Sequence, residues 1–226
     1  MHVVRGKEIA ELDASQVSAL LDGYDHVVVD VGTGDGRFAY TYAREHPDTF
    51  VLGFDVVKEN LRETSRRAAR KPAKGGVANV AYAWASAEEP PEELTGRADE
   101  IYVILPWGRL LDGLALGDAA VLDGLTSIAA PGALLRVTLN CEVWGANVPV
   151  KVRHLPELTP EYVRETLSPR YRERRVFLHE ARLLGREEVR DVRSPWAKRV
   201  RSSRDWPRFL YLEAAVHEDR RGRGER

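Results

Sequence analysis

Two short clusters in this chain of 226 residues combine residue types and spacings that could do chemistry. The first is Asp30-Val31-Gly32-Thr33-Gly34-Asp35-Gly36, with Asp55 about twenty residues further on. Glycines at that spacing let the chain turn sharply and bring its backbone against a ligand with no Cβ in the way. An acid ending the next strand is placed to accept hydrogen bonds from ribose hydroxyls, so the two features together predict a nucleoside-bearing ligand. The dinucleotide fingerprint G-x-G-x-x-G needs a glycine where this chain has Arg37; the spacing here is G-x-G-x-G.

That spacing, with an acid two residues before the first glycine, resembles motif I of the class I S-adenosylmethionine-dependent methyltransferases. The resemblance implies that Gly32 and Gly34 form the turn against the cofactor, that Asp30 helps position its methionine end, and that Asp55 holds its ribose. It also implies that the residues after the third strand, Ser86, Ala87 and Glu88, border the adenine; taken alone, the same residues read equally well as a helix cap.

The second cluster is Leu105-Pro106-Trp107-Gly108, which follows a predicted strand at the carboxyl edge where open α/β sheets bind ligands. Methyltransferases of exocyclic amines place Asp/Asn-Pro-Pro-aromatic there, because an oxygen must accept the amino proton. Here the polar position is Leu105, which suits an acceptor with its lone pair already available, such as a ring nitrogen of adenine. N1 of neutral adenine needs no general base, so alignment can carry the catalysis, an effect worth up to roughly 7–11 kcal/mol. A flipped base needs walls, and stacking on an aromatic side chain is worth about 1–3 kcal/mol. Trp107 is one candidate wall, and Trp196, among the cations of Arg193-Ser194-Pro195-Trp196-Ala197-Lys198-Arg199-Val200-Arg201, is the second. Trp144 and Trp206 read as packing residues.

Cations gather in two runs. Arg66, Arg67, Arg70, Lys71 and Lys74 have no acid between them, and Lys198, Arg199, Arg201 and Arg204 crowd the Trp196 loop with only Asp205 opposing. Each run alone fits a solvated face. Two of them, expected to flank one cleft in a chain of formal net charge -1, predict phosphate contact by a local basic face. The single cysteine, Cys141, excludes an intramolecular disulfide framework and reads as a buried thiol; six scattered histidines give no metal site. No signal-peptide pattern and no apolar run of membrane-spanning length occurs, which predicts a cytoplasmic protein.

These clusters must be positioned by alternating elements. His26 to Val31 and Phe50 to Asp55 read as buried strands around a helix that contains Phe38, Tyr42 and Ala43 and stops at Pro47. A basic helix from about Lys58 to Arg70, the linker Lys71 to Gly76, strands near Val80 to Ala85, Ile101 to Leu105 and Leu134 to Leu139, and an apolar helix around Ala119 to Ala129 continue the alternation. Thr159-Pro160 opens a short helix, and two strands near Arg175 to Leu183 and Arg208 to Val216 close the chain. The pattern predicts an α/β fold with a mostly parallel sheet covered on both faces, and the methyltransferase resemblance implies its class I (Rossmann-like), seven-stranded form with an antiparallel last strand. One domain over 1–217 is expected, with an N-terminal extension, inserted linkers at about 141–158 and 193–206, and a disordered tail at 218–226.

The motif I run, Lys71-Pro72-Ala73-Lys74-Gly75-Gly76, Leu105-Pro106-Trp107-Gly108 and the Ser194 to Arg204 loop with Ser-Ser-Arg-Asp at Ser202 to Asp205 together resemble the aminoglycoside-resistance 16S rRNA adenine-N1 methyltransferases of the Kam and Npm type. The resemblance covers most of the chain. It implies that S-adenosylmethionine is the methyl donor and that adenine 1408 of helix 44 in the 30S subunit is the target. Trp107 and Trp196 would sandwich the flipped base, Ser194 would fix the loop or cofactor, Leu105, Pro106, Ala87 and Glu88 would border the cofactor, and the basic runs would dock a monomer on rRNA. Arg109 after the Pro-Trp-Gly turn and Pro195 before Trp196 depart from the pattern. Two alternatives stand beside this reading. A tRNA guanine-N7 methyltransferase shares the first motif but carries Pro-Asp-Pro-Trp after strand four, and a non-catalytic 30S-binding protein would keep only the fold.

Overall fold

The computed structural model describes residues 1–141, 155–185, 188 and 208–216. Among the described residues nine strands form one sheet: β1 (His2–Arg5), β2 (Glu8–Glu11), β3 (His26–Val31), β4 (Thr49–Asp55), β5 (Val80–Trp84), β6 (Ala98–Ile104), β7 (Ala129–Asn140), β8 (Val176–Leu183) and β9 (Phe209–Val216), in the order β2-β1-β5-β4-β3-β6-β7-β9-β8. Strands β3 to β7 run parallel, and β9 lies antiparallel between β7 and β8. The seven expected strands are all there. The N-terminal extension adds an antiparallel hairpin, β1–β2, turned at Gly6 with φ 64° and joined to β5 through Val3 opposite Ala83.

Helices cover both faces, as parallel strands require. On one face pack α1 (Ala14–Leu21), α4 (Gly108–Leu116) and α5 (Ala119–Ile128); on the other pack α2 (Arg37–Glu45) and α3 (Lys58–Ala68). Strand β3 shows how its sequence serves both. Val27, Val29 and Val31 enter the larger core beside Leu114 and Leu125, while Val28 points to Tyr40 and Leu61 on the α2–α3 side. Asp30 shares the parity of Val28, which aims its carboxyl beneath the start of α2.

After position 155, Thr159 caps α6 (Pro160–Tyr162), its hydroxyl accepting from the Tyr162 N–H at 3.1 Å. The helical path continues through a π-turn at Val163–Leu167 into α7 (Ser168–Glu173). Pro169 lacks an N–H to return to the preceding turn, and the wider π spacing, closed by Ser168 N–H to Val163 C=O, absorbs the interruption.

Candidate cofactor and base cleft

The carboxyl ends of β3, β4, β5 and β6 surround a cleft of about 560 Å³, within the range of small-molecule sites. Its floor is the glycine turn. Gly32, Gly34 and Gly36 all adopt left-handed backbone, with φ of 68°, 60° and 74°. The turn is stitched to β4 by N–H groups of Gly32 and Thr33 on the Phe54 carbonyl at 2.9 and 3.1 Å. Position 36 tolerates no side chain, because a Cβ would stand 2.4 Å from the Tyr82 ring, whose hydroxyl donates to the Gly36 carbonyl at 2.9 Å. At Gly34 a Cβ would meet no protein atom within 4 Å, so the open space above this glycine belongs to the cleft it lines.

Asp55 ties the floor to its neighbour. One carboxylate oxygen accepts from Gly34 N–H at 2.9 Å and the other from Val57 N–H at 2.8 Å, and both retain lone pairs for a ligand hydroxyl. Burial raises its pKa against the pull of those two bonds. Asp30 does not reach the cleft wall. It is 2% exposed beneath the turn, where the Thr33 hydroxyl donates to its carboxylate, and burial pushes its pKa up to about 7. Asp30 therefore braces the turn from beneath and does not line the cleft.

One side wall follows β5. Ala87 and Glu88 line the cleft, whereas Ser86 turns its hydroxyl to the Glu89 N–H at 3.0 Å, so the cap reading and the ligand reading divide between neighbours. Helix α5 presses on this wall: a Cβ on Gly124 would stand 1.9 Å from the Ala87 carbonyl oxygen. The opposite wall is Ile104, Leu105, Pro106, Trp107 and Gly108. Leu105 has φ 50°, unusual for a side-chain-bearing residue; its N–H is held by the Thr138 carbonyl at 2.8 Å, which fixes the bend that swings Pro106 and Trp107 to the mouth. Trp107 is 42% exposed there, at the N-cap of α4.

Helix α4 is not among the elements expected from the sequence, and with it comes Arg109, whose Nε donates to Glu88 at 2.9 Å and joins the two walls. Arg109 and Glu88 lie 21 residues apart, and no local pattern announces their pairing.

Arg66, Arg67, Arg70, Lys71 and Lys74 are all exposed, and among the described residues none pairs with a carboxylate. Arg67 lies over the Tyr40 ring at 4.5 Å, and Tyr40 donates to the Gly75 carbonyl at 2.7 Å, so the run is built onto α2. Its expected position beside the cleft is corrected. Helix α3 starts at the cleft, which Asn60 lines, and runs back along the sheet, so Arg66 stands about 9 Å further down its axis at 1.5 Å per residue. Parallel β4 and β5 force that direction on the helix between them. Ser194, Trp196, Lys198, Arg199, Arg201 and Arg204, together with Trp144, Trp206 and the tail 218–226, lie outside the described residues. Cys141 is buried at 3% exposure, as expected.

A glycine turn at the switch point of a doubly wound sheet, an acid ending the second strand and an antiparallel last strand define a class I, Rossmann-like methyltransferase, and its cofactor is S-adenosylmethionine. The family model "NpmA: 16S rRNA (adenine(1408)-N(1))-methyltransferase" matches residues 2–215, and the chain belongs to this family. The 16S rRNA (adenine(1408)-N(1))-methyltransferase of Streptoalloteichus hindustanus is 42% identical over 217 residues, 96% of this chain and 100% of that one. A protein of the same description from Escherichia coli is 32% identical over 204 residues, covering 88% of this chain and 92% of that one. Among solved structures, a tryptophan-to-alanine variant of the enzyme from Catenulisporales acidiphilia, crystallised with the cosubstrate, superposes with a TM-score of 0.91 at 38% identity, over 97% of this chain and 98% of that one.

Proposed function

We propose that this cleft transfers a methyl group to N1 of adenine 1408 in helix 44 of the 30S subunit, and that the modification confers aminoglycoside resistance. The observation that carries the proposal is the base-side wall: Ile104, Leu105, Pro106, Trp107 and Gly108 hold no side chain able to remove a proton. An exocyclic amine needs such a group, and adenine N1 does not. When bound, S-adenosylmethionine would supply a sulfonium methyl that a nitrogen lone pair can take as the methyl–sulfur bond breaks, its electrons staying on sulfur, with no acid or base required. The chain's own work is alignment. Gly32 and Gly34 admit the cofactor to the backbone, Asp55 presents lone pairs to its ribose, and Ala87 and Glu88 flank its adenine. Trp107 stacks one face of the flipped base, which the bend at Leu105 holds at the mouth. Trp196 is proposed as the other wall, with Ser194 fixing its loop.

Recognition rests on rRNA shape and phosphates more than on base sequence. The ridge from Arg66 to Lys74 is proposed to reach phosphates away from the reacting base, with Lys198, Arg199, Arg201 and Arg204 nearer to it. The enzyme is proposed to act as a cytoplasmic monomer; no helix of the described residues is long and apolar enough to cross a membrane. Methylation at N1 adds bulk and positive charge where the drug bonds the adenine, which accounts for resistance.

Primer extension on 16S rRNA from 30S subunits incubated with the protein and S-adenosylmethionine tests the proposal. A new stop at adenine 1408, lost with Trp196→Ala, is expected. Uninterrupted extension by a protein that binds the cofactor would overturn it.

A further inference from the structure

We infer that Arg109 is a phosphate-binding residue for the RNA strand entering the cleft, and that Glu88 is the positioning residue that aims it. The inference rests on the rRNA reading above. Arg109 is the second residue of α4, two positions after Trp107, and its side chain is 82% exposed while that of Glu88 is only 19% exposed. The pair uses one edge of the guanidinium, Nε on Glu88 Oε1 at 2.9 Å. Among the described residues Glu88 is the carboxylate that Arg109 pairs with, and most of its side chain stays in solvent beside the tryptophan proposed to receive the base.

A guanidinium held by one edge loses less freedom when its remaining donors close on an anion, and the planar fork matches two phosphate oxygens. Glu88 is suited to the holding role. Burial pushes its pKa up, but the Arg109 hydrogen bond and charge, together with hydrogen bonds from its own backbone N–H and from Ser86, outweigh this and hold its pKa below the ordinary carboxylate value. The start of α4 adds the positive end of a helix dipole at the same point. A base can reach the cleft only if its own backbone passes the rim, and Arg109 is the cation that the described residues place on that rim.

The test compares wild type, Arg109→Ala, Arg109→Lys and Arg174→Ala, the last a distant exposed cation on the α7 side. Affinity for 30S subunits is measured across a salt series, and S-adenosylmethionine affinity by calorimetry. Arg109→Ala is expected to weaken 30S binding about tenfold and flatten the dependence of log K on log salt by about one unit, with cofactor affinity within about twofold of wild type. Arg109→Lys should restore the slope but only part of the affinity, since it keeps the charge and loses the fork. Arg174→Ala should change neither. An Arg109→Ala protein with unaltered 30S affinity and slope, or one that loses only cofactor affinity, would make the pair a wall brace and overturn the inference. Wild type that binds the cofactor but neither binds nor methylates 30S would instead remove the rRNA reading itself.

Discussion

Asp30 illustrates how a single buried group can set a pH dependence. Burial lifts its pKa from 3.8 to about 7, partly opposed by the Thr33 hydroxyl and reinforced by the charges of Asp55 and Asp35. Between those two values the folded protein holds a proton that the unfolded chain has released. The contribution of this group to stability is therefore full below about pH 4, declines as pH rises toward 7, and is gone above it. The full loss is up to about 4 kcal/mol, since each tenfold difference in proton affinity between the folded and unfolded states is worth about 1.36 kcal/mol. Urea unfolding of the cofactor-free protein from pH 4 to 8 should show this decline in wild type and much less of it in Asp30→Asn. Equal profiles for the two proteins would mean that the carboxyl is solvated or paired in the native state.

At the scale of elements, α5 acts on the site through one backbone contact. Gly124 lies against the Ala87 carbonyl, and an added methyl 1.9 Å away could be accommodated only by moving the helix or the wall. Gly124→Ala should raise the dissociation constant for S-adenosylmethionine at least about tenfold and lower the melting temperature; overpacking of this kind typically costs about 1–3 kcal/mol. Unchanged affinity would show that the wall after β5 yields at no cost to ligand. The elements themselves are unevenly legible in the sequence. Strand β3 is legible to its observed ends, because buried β-branched runs punctuated by glycine have few other uses. The hairpin β1–β2 is not, since four-residue strands such as Glu8–Glu11 are too short for alternation to stand out. Helix α4 is hidden by Gly108 and Gly113, the second of which is there so that Val121 of α5 can come within what would be 2.4 Å of a Cβ. The cofactor floor is legible because its constraint is local, spelled out in closely spaced glycines. The Glu88–Arg109 bridge and the far placement of Arg66 to Lys74 depend on strand order, which spacing along the chain does not encode.

Over the whole molecule, charge is distributed so that a chain of net charge -1 still offers a concentrated basic ridge. Replacing Arg66, Arg70 and Lys71 together by alanine, leaving Arg67 on its tyrosine, should lower 30S affinity and reduce the salt slope by up to about three units without altering cofactor affinity. A filter-binding salt series would measure both; an unchanged slope would place this ridge away from the RNA. Among the described residues the sheet that carries the site ends at β2 and at β8. At one end β2 presents Glu8 and Glu11, and at the other β8 breaks register between Leu178 and Glu180 and carries Glu180 and Arg182. Charged and irregular border strands make poor templates for another chain's backbone. The borders of the described sheet therefore offer another chain little to zip onto, which disfavours growth into fibrils.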